Sequence, residues 1–332
     1  MESSSNSVGF VFGKFMPPHK GHLYLIDEAK KKVNHLYVLV CSIEKEPIKG
    51  YLRYRWLRNI YLKHEGITVV HVQDENPQVP QEHPDFWNIW KNTFEKHIPS
   101  KIDFLFTSEN YGEKMASTMG IKHKIIDLER KNFPISARDI RQNWQQNWHF
   151  IPDEVKPFYC KKIVLTGSES TGKSTLCELL AKHYNTKAVP EYARTLFENN
   201  HGVLTYEDIS SIVSGQLHHE EIAAQQSNGL LFCDTDAIAT LVWSEIYFNK
   251  CPQWIIDLTY NQDYTLHLLM DIDIPWVQDN TREFPHLREY HFNKIKTELE
   301  LRKLPYQIIS GSFEERFRKA VEIIDDYLKY NY

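Results

Sequence analysis

Gly167-Ser168-Glu169-Ser170-Thr171-Gly172-Lys173-Ser174, followed by Thr175, fits the spacing G-x-x-x-x-G-K-[ST]. An apolar run at 163–166 (IVLT) precedes it and an amphipathic stretch at 175–184 follows, the strand–turn–helix setting that gives this spacing meaning. In that setting backbone N–H groups turn inward to phosphate oxygens, and the helix N-terminus adds partial positive charge. Lys173 is placed to neutralise the β- and γ-phosphates of ATP and Ser174 to ligate Mg²⁺ through its hydroxyl. The implied chemistry is transfer of a γ-phosphoryl group.

A phosphate loop does not name its acceptor. Three later segments bear on that question. Glu191-Tyr192-Ala193-Arg194 follows a short apolar stretch, where a second strand should end. Asp234-Thr235-Asp236 follows the strand-like run 230–233, which puts carboxylates where open α/β sheets bind ligands. Trp276 and Asp279, in PWVQDNTR, come just after the run 266–271 and offer an aromatic face beside a carboxylate and Arg282. A phosphoryl acceptor needs one carboxylate to align its hydroxyl and another for the hydrated metal. Taken singly, Glu191 and Arg194 also fit a helix ion pair, Asp234 a helix cap and Trp276 a core aromatic. Glu191 and Asp236 both remain candidates for the base.

A second constellation lies near the start. Gly13-Lys14-Phe15-Met16-Pro17-Pro18-His19-Lys20-Gly21-His22 follows an apolar run at 8–12 and leads into a helical stretch at 23–32. Two imidazoles at a helix start suit hydrogen bonding to a triphosphate, where preorganised donors stabilise the charge that builds as pyrophosphate leaves. No third ligand is spaced to make the pair a zinc site. Further on, Ser136 and Arg141, in PISARDIR, would sit at a helix start suited to phosphate oxygens. Arg53 and Arg55 fit a solvated basic face better than a phosphate contact.

The elements that must hold these groups are short apolar runs, including His35–Cys41, Ile67–Val72 and 102–107, alternating with charged helical stretches such as 52–63. That alternation implies βαβ units and parallel sheets. The stretch 155–162 (VKPFYCKK) reads as a connector, after which the strand–turn–helix pattern restarts. The expected architecture is α/β, two doubly wound parallel-sheet domains over residues 1–157 and 158–332. With 332 residues, 42% hydrophobic and 25% charged, the chain is long and apolar enough for two cores. A net charge of −5 argues against a dedicated nucleic-acid binder. Five scattered cysteines argue against a disulfide framework or structural zinc. With no signal peptide and no run of eighteen apolar residues, the expectation is a cytoplasmic protein without membrane insertion.

GKFMPPHKGH resembles the HxGH signature of nucleotidyltransferases, with 135–141 as its C-terminal partner. Joined to GSESTGKST, EYAR, DTD and PWVQD in that order, the whole is similar to the bifunctional nicotinamide-nucleotide adenylyltransferase/ribosylnicotinamide kinase (NadR) family over roughly residues 8 to 325. The resemblance implies an HxGH nucleotidyltransferase Rossmann-like domain followed by a P-loop kinase domain. It implies phosphorylation of nicotinamide riboside with ATP and Mg²⁺ to nicotinamide mononucleotide (NMN), then adenylylation of NMN with a second ATP to NAD and pyrophosphate. By motif position it implies that His19, His22, Lys14, Ser136 and Arg141 handle ATP phosphates, and that Trp87, in FWNIW, stacks on the nicotinamide of NMN. It places Ser108 and Tyr111 near the nucleotide, and Glu191, Asp236, Trp276 and Asp279 around the riboside.

Only seven residues precede the first strand, so the DNA-binding segment found in some members is not expected, nor is repression of transcription. Ala137-Arg138 and Asn280 depart from the commoner forms of their motifs. Two alternatives use similar residues: a phosphopantetheine adenylyltransferase/dephospho-coenzyme A kinase fusion, and a nucleotide-sensing regulator without turnover. The partners expected are small molecules, with homo-oligomerisation left open.

Overall fold

Continuous apolar strands and amphipathic helices dictate layered α/β structure, and a computed structural model describing residues 7–277 and 285–330 has that form. The chain divides into two compact units, Met1–Lys156 and Pro157–Tyr332.

The first unit runs β1 (Val8–Gly13), α1 (Lys20–Lys30), β2 (His35–Cys41), α2 (Gly50–Tyr61), β3 (Ile67–Val72), α3 (Phe86–His97), β4 (Phe104–Thr107), α4 (Gly112–Met119), β5 (Lys122–Ile125) and α5 (Ala137–Gln142). The strands form one parallel sheet in the order β3-β2-β1-β4-β5. Strand β2 (HLYVLVC) is apolar almost throughout because both of its faces are covered. One core cluster holds Ile26, Ala29 and Leu57 from α1 and α2. The other holds Phe94, Met115 and Ala116 from α3 and α4. Strand β1 lies at the centre, with its C-terminal end opening onto residues 14–19.

A short helix, α6 (Lys156–Tyr159), precedes the second unit's elements: β6 (Lys161–Thr166), α7 (Lys173–His183), β7 (Lys187–Val189), α8 (Tyr192–Asn199), α9 (Asp208–Gln226), β8 (Leu230–Asp234), α10 (Ala237–Phe248), α11 (Gln253–Thr259), β9 (Leu266–Met270), α12 (Arg288–Leu301), β10 (Tyr306–Ile309) and α13 (Phe313–Tyr330). This sheet is also parallel, in the order β10-β9-β6-β8-β7, with the strand before the phosphate loop at its centre. Leu176 and Leu180 of α7 pack with Ala320 and Ile324 of α13 on one face. Ile212, Leu241 and Leu299 of α9, α10 and α12 pack on the other. Among the described residues no helix is long and apolar enough to cross a membrane.

Departures from the sequence reading have local causes. Helix α1 begins at Lys20 rather than residue 23 because His19 caps it. Strand β4 starts at Phe104, since the Asp103 carboxylate is engaged by the Val8 N–H at 3.0 Å. Strand β5 (KHKI) has no alternating apolar pattern and went unread; it is an edge strand with mostly exposed side chains. The stretch taken as connector contains α6 and the first residues of β6.

Candidate active sites

In the second unit the C-terminal ends of β6, β7 and β8 open onto a cavity of about 470 Å³. Gly167 and residues 169–175 form one wall. Gly172 takes a left-handed conformation, φ +78°, at the N-cap of α7, where a Cβ would lie 2.8 Å from the Phe313 ring. The Lys173 ammonium donates to the carbonyls of Gly167 (3.0 Å) and Ser168 (2.8 Å), so it lies folded over the loop. The Ser174 hydroxyl donates to Asp234 Oδ2 at 2.5 Å. Burial pushes the Asp234 carboxyl up, while Lys173, the Ser174 hydroxyl and Arg194 pull it back. Its Oδ1 is buried without a hydrogen-bond partner.

Two arginines fasten this loop by its carbonyls. Arg316, 1% exposed, donates to Gly311 O, Thr171 O and Asp271 O at 2.7–3.0 Å and pairs with Asp273. Arg288 donates to Ser170 O and Ile274 O and lies over the Trp276 ring at 5.8 Å. The loop path therefore does not depend on a ligand to hold it.

Glu191, at the N-cap of α8, and Arg194 line the cavity, as does Thr235. Asp236 does not. Its Oδ1 accepts from the Ala239 N–H at 3.0 Å to cap α10, and its Oδ2 meets His267 Nε2 at 3.1 Å with both side chains wholly buried. Asp236, a candidate base from the sequence, is thus engaged by a helix cap and a buried imidazole, while Glu191 is the candidate that faces the cavity. Trp276 sits against Arg288 rather than on the cavity wall, and Asp279 lies outside the described residues. The aromatic wall comes instead from α10. Trp243 and Tyr247 stack 4.4 Å apart at 7°, and Phe248 continues the wall. Sequence reading missed these residues, although their i, i+4 spacing just after DTD puts both on one helix face.

In the first unit, residues 14–19 leave the end of β1 and enter α1. His19 caps α1, its Nδ1 accepting the His22 N–H at 3.3 Å. A neutral imidazole with an accepting Nδ1 carries its proton on Nε2, so His19 keeps one donor for a ligand. The His19 and His22 rings stack at 3.6 Å and 27°, and Phe15 meets His22 edge-on. Burial, reinforced by Arg130 and opposed by Asp139, pushes His19 down to about 3. Burial, then His19, then Arg130 hold His22 well below the usual histidine value. Both rings are neutral at pH 7.

Arg141 reaches from α5 to the Met16 carbonyl and also donates to Ala137 O at 3.1 Å. The Ser136 hydroxyl is taken by a capping box: it donates to Asp139 Oδ2 at 2.6 Å and accepts the Asp139 N–H at 3.2 Å. Lys14 pairs with Glu46 at 3.0 Å. Arg53, read above as part of a solvated face, is fully buried. It binds Glu46 and the carbonyls of Lys14, Cys41 and Ile48, because α2 points it inward beneath the β1–α1 loop. Arg55 is exposed. Trp87 is half-buried on α3, edge-on to Phe86 at 5.0 Å, and Tyr111 meets Phe12 edge-on at 5.8 Å. Ser108 follows β4 directly. Arg130, which the sequence reading passed over, acts on both imidazoles.

Residues 10–143 match the family described as cytidylyltransferase-like, and residues 162–316 match the family described as an AAA domain. The trifunctional NAD biosynthesis/regulator protein NadR of Escherichia coli (strain K12) is 28% identical over 346 residues, covering 97% of this chain and 83% of that protein. The chain is homologous to NadR. Two solved NadR structures, one in complex with NAD and AMP-PNP and one with NR, share the fold. Their TM-scores are 0.77 and 0.78, each at 22% identity over 97% of this chain and 96% of theirs. NadR homology fits two parallel-sheet units in one polypeptide, each with a turn leading from its central strand into a helix.

Two expectations follow from this packing. Arg53→Met leaves the buried Glu46 with Lys14 as its ion-pair partner and the Ile43 N–H as a donor, and should cost the first unit about 3–5 kcal/mol. In calorimetry its transition should move to lower temperature while that of the second unit stays; an unmoved first transition contradicts the role given to Arg53. For His19, the folded value near 3 lies below the unfolded value of 6.5, so stability falls as pH drops from 6.5 toward 3. Between pH 7.5 and pH 5 the wild type should lose about 2 kcal/mol more than His19→Gln, by the relation of 1.4 kcal/mol per unit. Urea unfolding at the two pH values reads this directly, and parallel losses would contradict it.

Proposed function

We propose that this chain carries out two steps of NAD salvage, phosphorylation of nicotinamide riboside and adenylylation of the NMN so formed. The observation that carries the kinase reading is one cavity in which a phosphate loop faces both a carboxylate, Glu191, and an indole, Trp243. Nicotinamide riboside is a cation with a flat ring, and an indole face attracts such a ring by cation–π contact. In place of Trp276, Trp243 is the platform that the geometry favours. Glu191 aligns the riboside hydroxyl and accepts its proton as the oxygen bonds to the γ-phosphorus and the β–γ bond breaks, releasing ADP.

Lys173 and the inward N–H groups of the loop stabilise charge on the transferring group. Bound Mg²⁺ would supply positive charge to offset the negative charge of the phosphates. Ser174 Oγ and the unpartnered Asp234 Oδ1 suit such an ion, as oxygen donors at the loop's edge. Asp234 thus takes the metal-side role, and Glu191 is favoured over Asp236 as the base.

In the first unit, an NMN phosphate oxygen attacks the α-phosphorus of ATP and the α–β bond breaks, releasing pyrophosphate. The attacking group is already ionised, so no side-chain base is required. His19 donates through Nε2–H, and His22, stacked on it, is placed for the same oxygens. Their neutrality suits donation without an internal charge to desolvate. Lys14 and Arg141 add positive charge beside the loop, and Ser136 holds the turn of α5 through its capping box. Trp87 is proposed to stack on the nicotinamide of NMN, with Ser108 and Tyr111 beside the nucleotide.

The test separates the two reactions. Lys173→Ala should abolish ADP release with nicotinamide riboside and keep NAD formation from NMN, while His22→Ala should do the reverse. Loss of both activities from either change in a folded protein would refute separate pockets. Trp243→Ala should raise KM for nicotinamide riboside about tenfold or more, as removal of a desolvated cation–π contact costs about 2 kcal/mol. An unchanged KM would remove Trp243 from the pocket.

A further inference from the structure

Glu191 occupies a position where acidic side chains normally turn back. At an N-cap, a carboxylate accepts the exposed N–H groups of its own helix and is thereby withdrawn from chemistry. Glu191 makes no such cap bond. The first N–H of α8, that of Tyr192, donates to Gln216 Oε1 of α9 at 2.9 Å. Gln216 is 5% exposed, so this bond is shielded from water.

The neighbouring residue strengthens the arrangement. Gly215 lies inside a 19-residue helix, where glycine is a poor choice on propensity alone. A Cβ there would fall on the Tyr192 ring, closer than any real Cβ contact, so the ring rests directly on the α9 backbone. One turn on, His219 meets the same ring edge-on at 5.0 Å and 89°. Residues 215, 216 and 219 therefore grip Tyr192 through backbone clearance, a hydrogen bond and a ring contact.

We infer that Gly215, Gln216 and His219 form a clamp on Tyr192 that positions Glu191 for proton acceptance in the kinase cavity. These are positioning residues, acting through Glu191, and the inference rests on the reading of Glu191 as the base. With the clamp removed, Tyr192 is free to shift and carries the adjoining Glu191 backbone with it, which moves the carboxylate from the substrate hydroxyl.

The test is a double-mutant cycle on the full chain, with nicotinamide riboside and ATP as substrates. Gly215→Ala and Gln216→Met should each lower kcat for phosphoryl transfer about 10- to 100-fold, the scale of a misplacement near 1 Å. KM for ATP in that reaction, and NAD formation from NMN, should stay within about twofold of wild type. In a Glu191→Gln background neither change should slow the residual rate further. Multiplicative losses in that background, or wild-type kcat in both single variants, would overturn the clamp while leaving Glu191 as the base. A Glu191→Gln enzyme as fast as wild type would instead overturn the reading of Glu191, and the clamp with it. Should Gly215→Ala not fold, Gln216→Met, which keeps side-chain volume and removes the amide that accepts the Tyr192 N–H, decides the matter.

Discussion

A buried guanidinium bonded to backbone carbonyls is the constraint on which each unit's site depends. Arg53 and Arg316 are the two largest fully buried side chains described. Each lies under the turn that leaves the central strand of its sheet, Arg53 on Lys14 O and Arg316 on Thr171 O. A phosphate-binding turn has its N–H groups facing the ligand, so its carbonyls must face the protein and find donors there. Arginine supplies several donors in a rigid fork and stays charged when buried, which no other side chain does. Glu46 and Asp273 balance these charges. The turns are thus preorganised, and less ordering is left for the ligand to impose.

The remaining polar groups divide according to whether their hydrogen bonds are complete. Asp236 and Ser136 have theirs satisfied by a cap, a buried imidazole or a capping box. Asp234 Oδ1 and His22 Nδ1 are buried without partners, one by the loop before α7 and the other by the turn before α1. An unsatisfied buried polar atom is costly unless a ligand completes it. Burial acts in opposite senses on the two groups, raising the carboxyl and lowering the imidazole, so each is drawn toward neutrality.

Much of the architecture was legible because strand-forming runs such as HLYVLVC and IVLT are continuous and apolar, and the stretches between them have helical charge patterns. That alternation implied two parallel α/β sheets, as found. Strand β5 was not legible, since an edge strand with charged side chains has no periodic signature. Within the sites, the glycine-rich loop and the paired histidines stood out because their function fixes their spacing. DTD offered two carboxylates, and nothing in the sequence told which would cap α10 and which would face Ser174; the strand's last residue and the helix's N-cap differ only in three dimensions. Arg53 read as a surface residue because the carbonyls that bury it come from distant turns. Trp243 went unread because a stacked pair on a helix face looks the same whether it borders a cavity or a neighbouring helix.

Two ATP-handling pockets in one chain leave a signature in the product. If the chain is given nicotinamide riboside, Mg²⁺ and ATP labelled either at the γ- or at the α-phosphorus, NAD formed with each label should be radioactive. One phosphorus comes from the kinase step and the other from the adenylyl transfer. NAD labelled from the α position but never from the γ position, or no NAD at all, would contradict the pairing of the two reactions.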